Sequence, residues 1–220
     1  MTEQHLKPGV LPRHRHDAAY AALVLSGGYL EAGSRGRWRV EAGDVVAHAA
    51  FEAHQNLLTR GAVVLNLALD PRLDLPPAFR VADPDALVRA AREDSAAVSA
   101  LMAPVETRAG LDEDWPDRLA ADLNADPGLK LGDWARRRGL SPSTLARGFR
   151  SVFGVTPARY GAERRTLAAW RDIARCGAPL AGLACDHGFA DQAHMTRAIV
   201  ALTGIAPGVW RGRFRSRPAV

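Results

Sequence analysis

Between Leu131 and Trp210 the chain states one pattern twice, and a tandem duplication limits the architecture more than any single motif does. The run LGDWARRRGLSPSTLARGFRSVFGVTPARY (131–160) is answered by LAGLACDHGFADQAHMTRAIVALTGIAPGVW (180–210). At an offset of 49, Leu131 pairs with Leu180, Trp134 with Leu183, Ala135 with Ala184, Gly139 with Gly188 and Leu140 with Phe189. One inserted residue raises the offset to 50. Ser141 then pairs with Asp191, Leu145 with Met195, Arg147 with Arg197, Gly154 with Gly204, Pro157 with Pro207 and Tyr160 with Trp210.

Each copy reads as two helices joined by a tight turn. In the first, Leu131, Trp134 and Ala135 share a helical face, and Gly139 stops the helix where φ must turn positive. Ser141 is a ready N-cap and Pro142 fits the first helical position. The next helix places Leu145, Phe149 and Val152 inward. Ser143, Ala146, Arg147 and Arg150 form the opposite stripe at i, i+3, i+4, i+7 spacing. The second copy repeats the plan with Gly188 as stop and Asp191 as cap. Met195, Ile199 and Leu202 point inward, and Ala193, Thr196 and Arg197 outward. This is a helix-turn-helix pattern, whose second helix enters the DNA major groove. One copy alone would serve equally as an amphipathic pair in a helical bundle; two copies with matched stops, caps, arginines and prolines argue against that.

The region from about Trp115 to Arg215 resembles the DNA-binding domain of the AraC/XylS family of bacterial transcription regulators. The resemblance is carried by S-x-x-x-L-x-R-x-F at Ser141 to Phe149, by Gly188–Phe189 and by the G-x-x-P endings at Gly154 and Gly204. It implies that Ser143, Ala146, Arg147 and, beside them, Arg150 approach DNA from the first copy, and Gln192, His194, Thr196 and Arg197 from the second. The chemistry suits that role: Arg is bidentate to guanine, Gln to adenine, and Ala or Thr methyls meet a thymine methyl. Arg147 and Arg197 could instead brace against a phosphate or an acidic side chain. The second copy departs from the family at Ile199 and Val200, which replace an aromatic–basic pair, so the first copy is expected to dominate affinity.

Charge divides the same way. Of the chain's 29 Lys+Arg, 16 lie within Leu119–Val220 beside 7 of its 24 Asp+Glu, so that part carries +9 and the remainder −4. A basic C-terminal half beside an acidic N-terminal half fits a nucleic-acid reader with a separate control domain. Hydrophobic residues make up 47% of the sequence, enough for packed cores. No run approaches the ~18 apolar residues of a membrane span and the N-terminus carries no signal-peptide pattern, so a cytoplasmic protein without membrane contact is expected. Two cysteines without a C-x-x-C argue against a disulfide, and packing is the expected role of both Cys176 and Cys185.

From Val10 to Leu69 short apolar or alternating runs are punctuated by Gly and Asp, a pattern of strands in a small sandwich or barrel. His14-Arg15-His16 sets two imidazoles on one side of a strand. His54 follows Gly43 by eleven residues. These features, over roughly residues 9 to 69, resemble the two cupin motifs and imply a cupin-like β-barrel. The departures are specific. Asp17 and Tyr20 stand where metal-binding cupins carry a Glu, Ala49 stands for a proline, and Asn56 is two residues closer than usual. His14, His16 and His54 would make an open site for a divalent transition metal, zinc or similar, with His48 as a further neighbour. The same histidines could line a metal-free pocket.

Asp70 to Pro77 reads as an extended linker. Asp83-Pro84 caps a helix running to about Asp94, and Ala96 to Met102 forms a second. A helix from Pro157 to near Cys176 joins the two duplicated units and would span roughly 27 Å. Its buried stripe is Tyr160, Leu167, Trp170 and Ala174.

The expectation is therefore an α+β chain of two domains. A cupin-like sensor occupies 1–76, a helical linker 77–112 that either dimerises, as the resemblance implies, or covers the barrel edge, and an all-α domain with two helix-turn-helix units 113–215. The resemblance implies a transcription regulator without catalytic residues, whose partners are double-stranded DNA, a small-molecule or metal effector, RNA polymerase and a second copy of the chain. The rival reading is a metal-dependent cupin enzyme with an accessory helical domain.

Overall fold

The structure is a computed structural model that describes residues 2–70, 73–93, 95–126, 128–175 and 177–215. It divides into two compact units, Met1–Arg118 with Ser151–Gly154, and Leu119–Arg150 with Val155–Val220.

The first unit holds β1 (Thr2–Leu6), β2 (Gly9–Arg15), β3 (Tyr20–Ser26), β4 (Gly28–Gly33), β5 (Gly36–Glu41), β6 (Asp44–His48), β7 (Ala53–Leu58), β8 (Ala62–Ala68) and β9 (Ala78–Val81). There follow α1 (Pro84–Glu93), α2 (Ser95–Leu101) and β10 (Pro104–Thr107). The strands form two antiparallel sheets, one ordered β1-β8-β3-β6-β9-β10 and the other β2-β7-β4-β5. The sequence implies a small cupin-like β-barrel. Among the described residues no ladder joins an edge strand of one sheet to the other, so the sheets stay open as a sandwich.

Alternation explains the layers. Val24 on β3 turns toward a core shared with Tyr29, Trp38 and Val40 of the smaller sheet. Ala21 and Leu23 turn the other way and pack with Val45, Leu65, Phe79 and with Leu87, Val98 and Met102 from the helical stretch. The larger sheet is thus covered on both faces, and β6 has no exposed residue along its length. Asp44, fully buried at its start, accepts from the Glu41 amide at 3.0 Å and from Arg80 Nε at 2.9 Å, tying the Gly43 turn to β9.

The stretch 77–112, read from sequence as a helical linker, carries β9 and β10 as well as its two helices. Four-residue strands are too short to show alternation, which is why the sequence reading missed them. The Asp83 cap is in place, its Oδ1 accepting from the Ala86 amide at 2.8 Å. β1 lies before the stretch read as β; four of its five residues are exposed, so it has no apolar rhythm.

The second unit holds α3 (Trp115–Ala125, from its fifth residue on), then α4 (Leu131–Arg137), α5 (Pro142–Phe153, as far as Arg150), α6 (Pro157–Arg175), α7 (Leu180–Asp186), α8 (Gln192–Thr203) and α9 (Pro207–Arg215). The duplication is written into the backbone. Gly139 and Gly188 leave α4 and α7 at φ +64° and +67°, and Gly154 and Gly204 end α5 and α8 at +75° and +74°. Leu140 N–H donates to the Ala135 carbonyl at 3.0 Å, and Phe189 N–H to the Ala184 carbonyl at 2.8 Å. Ser141 Oγ accepts from the Thr144 amide at 3.1 Å, and Asp191 Oδ1 from the His194 amide at 2.6 Å. In α5 the inward set is Leu145, Phe149 and Phe153; Phe153 takes the buried place assigned to Val152, which is half-buried. In α8 Met195 and Ile199 are buried and Leu202 is half-buried. Tyr160 and Leu167 are buried on α6 and Trp170 is half-buried; Ala169 and Ile173 complete that face. The Ala174 side chain lies outside what is described. Cys185 is exposed on α7 rather than packed, and Cys176 lies outside the described residues.

Candidate functional site

Each unit presents one candidate. In the helical unit, the cap and the apolar stripe fix which way α5 and α8 face. With Leu145 and Phe149 buried, Ser143, Arg147 and Arg150 must emerge on the other side, and they are exposed; Ala146 is half-buried beside them. On α8, Gln192 and Arg197 are exposed and His194 and Thr196 half-buried. Among the described residues none of Arg147, Arg150 and Arg197 is held in an ion pair, so their forks are available to a ligand. The two faces differ in detail. Ser143 Oγ lies 3.0 Å from Ser141 Oγ, inside the cap. The His194 ring stands edge-on to Phe189 at 5.3 Å, and the Ala190 amide donates to its Nδ1 at 3.5 Å, so this residue braces the turn. Gln192, Thr196 and Arg197 are left as the outward groups of α8.

In the β unit, β2 and β7 are antiparallel neighbours with His14 opposite His54. A register shift in β2 between Leu11 and His14 precedes the pair. His16 follows the strand end, where its carbonyl accepts from the Phe51 amide at 2.7 Å. Phe51 takes φ +64°, and the β6–β7 turn it shapes returns the chain toward His14. The ring centroids are 4.3 Å apart for His14–His54, 5.1 Å for His14–His16 and 5.8 Å for His16–His54. One ring nitrogen from each lies within 4.8 Å of the other two.

These residues fit a metal ion. His14 Nδ1 lies 2.8 Å from the Pro12 carbonyl; a carbonyl only accepts, so Nδ1 carries the proton and Nε2 presents its lone pair. Burial, and then the charges of His14 and His16, push His54 down to about 3, while burial and His14 lower His16. Both are therefore neutral near pH 7, as ligation requires. The 4.8 Å spread exceeds the ~3.3 Å edge of a tetrahedral zinc shell. His16 is the exposed member of the three, so closing that difference on an ion would fall to it.

Behind the histidines lies a buried polar layer that the sequence reading only touched at Tyr20 and His48. Tyr20 Oη is 3.2 Å from His54 Nε2, and its ring stacks on His48 at 4.5 Å. Burial and then Glu31 push the Tyr20 hydroxyl well above its ordinary value. His48 Nε2 is 3.6 Å from Glu31 Oε2. Burial pushes Glu31 up to about 8 against the opposing charge of Arg35, and burial lowers His48. Near neutral pH this contact joins two uncharged groups and is not an ion pair. Glu52 caps the Ala49 amide at 3.0 Å and meets Arg35 Nε at 3.4 Å. Glu31, Arg35, His48, Glu52 and His54 line a cavity of about 10 Å³, room for about one water. Glu31 was findable in principle: it sits two residues past Tyr29 on β4, an inward position by period two.

Residues 134–213 match the family described as helix-turn-helix domain. Over 80 residues the chain is 30% identical to the virulence regulon transcriptional activator VirF of Yersinia enterocolitica, a match that takes in 36% of this chain and 30% of that protein. The chain thus spans about a third of the length of this curated relative. Among solved structures, it is similar to ToxT of Vibrio cholerae O395, with 7% identity and a TM-score of 0.47 over 98% of this chain and 97% of that one. It is also similar to the DNA-binding domain of AdpA, a global transcriptional factor solved with a target DNA, with 23% identity and a TM-score of 0.44 over 48% and 96%. The match to the helix-turn-helix domain family runs from Trp134 in α4 into α9, and so takes in both copies of the duplication.

Proposed function

We propose that this chain is a transcription regulator of AraC/XylS type. It binds duplex DNA sequence-specifically through α5 and α8 and senses an effector in its cupin-like β unit. The observation that supports DNA reading best is the paired construction of the two units. Each has its glycine stop, its cap and its buried stripe at equivalent positions, and each leaves an arginine, Arg147 or Arg197, exposed on the outer face. Packing alone does not require the same exposed cation twice. Affinity should fall steeply with salt, because arginine–phosphate contacts release condensed counterions. Titration of the full chain against a duplex library, with heparin as an acidic control, tests this. Selection of one sequence family supports the reading, and equal affinity for heparin and every duplex removes it.

The β unit is read as a sensor that holds a divalent transition metal at His14, His16 and His54. Bound there, the metal would supply a charged, oriented point at which protein conformation or a further ligand can be coupled. The support is the convergence of three imidazoles, two of them held neutral by their surroundings. Elemental analysis of the freshly purified wild-type and His54→Ala chains tests it. One metal ion per wild-type chain, lost in the variant, is the expected result.

A further inference from the structure

We propose that the Tyr20 hydroxyl is the fourth protein ligand of the metal held by His14, His16 and His54, an inference that rests on the metal reading above. Tyr20 opens β3 in the larger sheet, whereas His14 and His54 belong to β2 and β7 in the smaller one. Its side chain crosses the space between the sheets and brings Oη to 3.2 Å from His54 Nε2. Two donors bound to one tetrahedral ion at about 2.0–2.1 Å lie ~3.3 Å from each other. The Tyr20 oxygen therefore already stands at a ligand-to-ligand separation from His54. Its ring also meets His16 edge-on at 4.8 Å, so the phenol lies against two of the three imidazoles.

The nearby carboxylates do not compete for that place. Glu52 is occupied by the Ala49 amide and Arg35, Glu31 faces His48, and Asp17 is exposed in the turn after β2. The phenol is half-buried and stacks on the buried His48 ring, so little freedom is lost on coordination. As the metal–oxygen bond forms, the O–H bond breaks and its proton passes to solvent, so a divalent ion at three neutral imidazoles and one phenolate carries a net charge of +1. Three nitrogens and one oxygen are a donor set that copper(II), zinc and iron all accept.

Copper(II) is the probe, because it binds imidazole most tightly among the divalent ions of its row and reports a phenolate ligand by colour. The full chain is titrated with copper(II), its metal content measured, and absorption and resonance Raman spectra recorded. The expected result is one copper per chain, a visible charge-transfer band, and tyrosinate ring vibrations enhanced on excitation into that band. Tyr20→Phe should keep copper at weaker affinity and lose both signals. The chain has three tyrosines; of the others, Tyr29 is buried in the sandwich core and Tyr160 lies in the helical unit, so the signals in the wild type already report on Tyr20 should Tyr20→Phe fail to fold. One copper lost in His54→Ala but bound without these signals in the wild type leaves the metal on the histidines, makes Tyr20 a hydrogen-bond partner only, and overturns the inference. No stoichiometric copper in the wild type, or copper retained in full by His54→Ala, overturns the metal reading and this inference with it.

Discussion

The carboxyl of Glu31 and the imidazole of His48 lie 3.6 Å apart in the buried layer of the β unit, and burial makes both neutral, one by keeping its proton and the other by refusing one. The two therefore pull stability in opposite directions with pH. Glu31 holds its proton to about 8 when folded against 4.5 unfolded, so stability falls as pH rises through that window. His54, held at about 3 against 6.5 unfolded, and His48, also held low, make stability fall as pH drops below 6.5. Thermal midpoints should peak near ~6.5 in a metal-free buffer series. Glu31→Gln should abolish the decline on the alkaline side and leave the acid limb. An unchanged alkaline limb in that variant would place the decline elsewhere.

Gly139 and Gly188 have left-handed backbones but uncrowded surroundings: a Cβ at Gly139 would meet nothing within 4 Å, and one at Gly188 only Arg165 Cδ at 4.0 Å. Alanine at either position should cost only the backbone penalty, about 1–2 kcal/mol, and asparagine less. Denaturant unfolding of the four single variants checks this. A loss well beyond that range, or alanine and asparagine costing the same, would mean that the turn is not limited by its dihedrals.

Arg147→Ala should weaken binding to the selected duplex by about 1–3 kcal/mol and relax preference at one base pair, with little change on random DNA. Arg150→Ala, one turn further along α5, should lose affinity on both and lower the salt slope by about one. His194→Ala should behave as a fold variant, since that ring braces Phe189 and the Ala190 amide. Equal losses for Arg147→Ala on selected and random DNA would make Arg147 a phosphate contact.

Metal occupancy should outlast ordinary histidine titration. Protons compete weakly for His54 and His16, both held low, so dialysis at descending pH should leave metal bound below the usual imidazole range near ~6.5. Metal removal should also change affinity for the selected duplex, because a ligand acts at a distance only by preferring one of two arrangements. Metal that comes and goes with no effect on DNA binding would reduce the site to a staple of the β unit.

What was legible in the sequence was what repeats or alternates. Gly139 and Gly188, Ser141 and Asp191, Gly154 and Gly204 were readable because each does a backbone job that few residue types can do, and each does it twice. The three histidines were readable because spacing along strands fixes their side. Arg35 and Glu52 were not, because charged residues are placed outside by default; Glu31 has the inward position by period two, two residues past Tyr29, but its charge masks that signal. The strands β9 and β10 were hidden for another reason: their pairing is with β6 and with each other, over separations no local pattern reports.

One feature of the duplication bears on the form of the target. The single residue by which the copies differ in length, Ala190, falls in the turn, between the Gly188 stop and the Asp191 cap. The stop and the cap are conserved as devices while the chain between them is one residue longer, so α8 leaves its turn from a different point than α5 does. The side chains it then offers, Gln192, Thr196 and Arg197, also differ from Ser143, Ala146 and Arg147. A single chain that reads DNA with both helices would for this reason have no internal symmetry to match, and its preferred duplex is expected to be two unlike words in tandem rather than a palindrome.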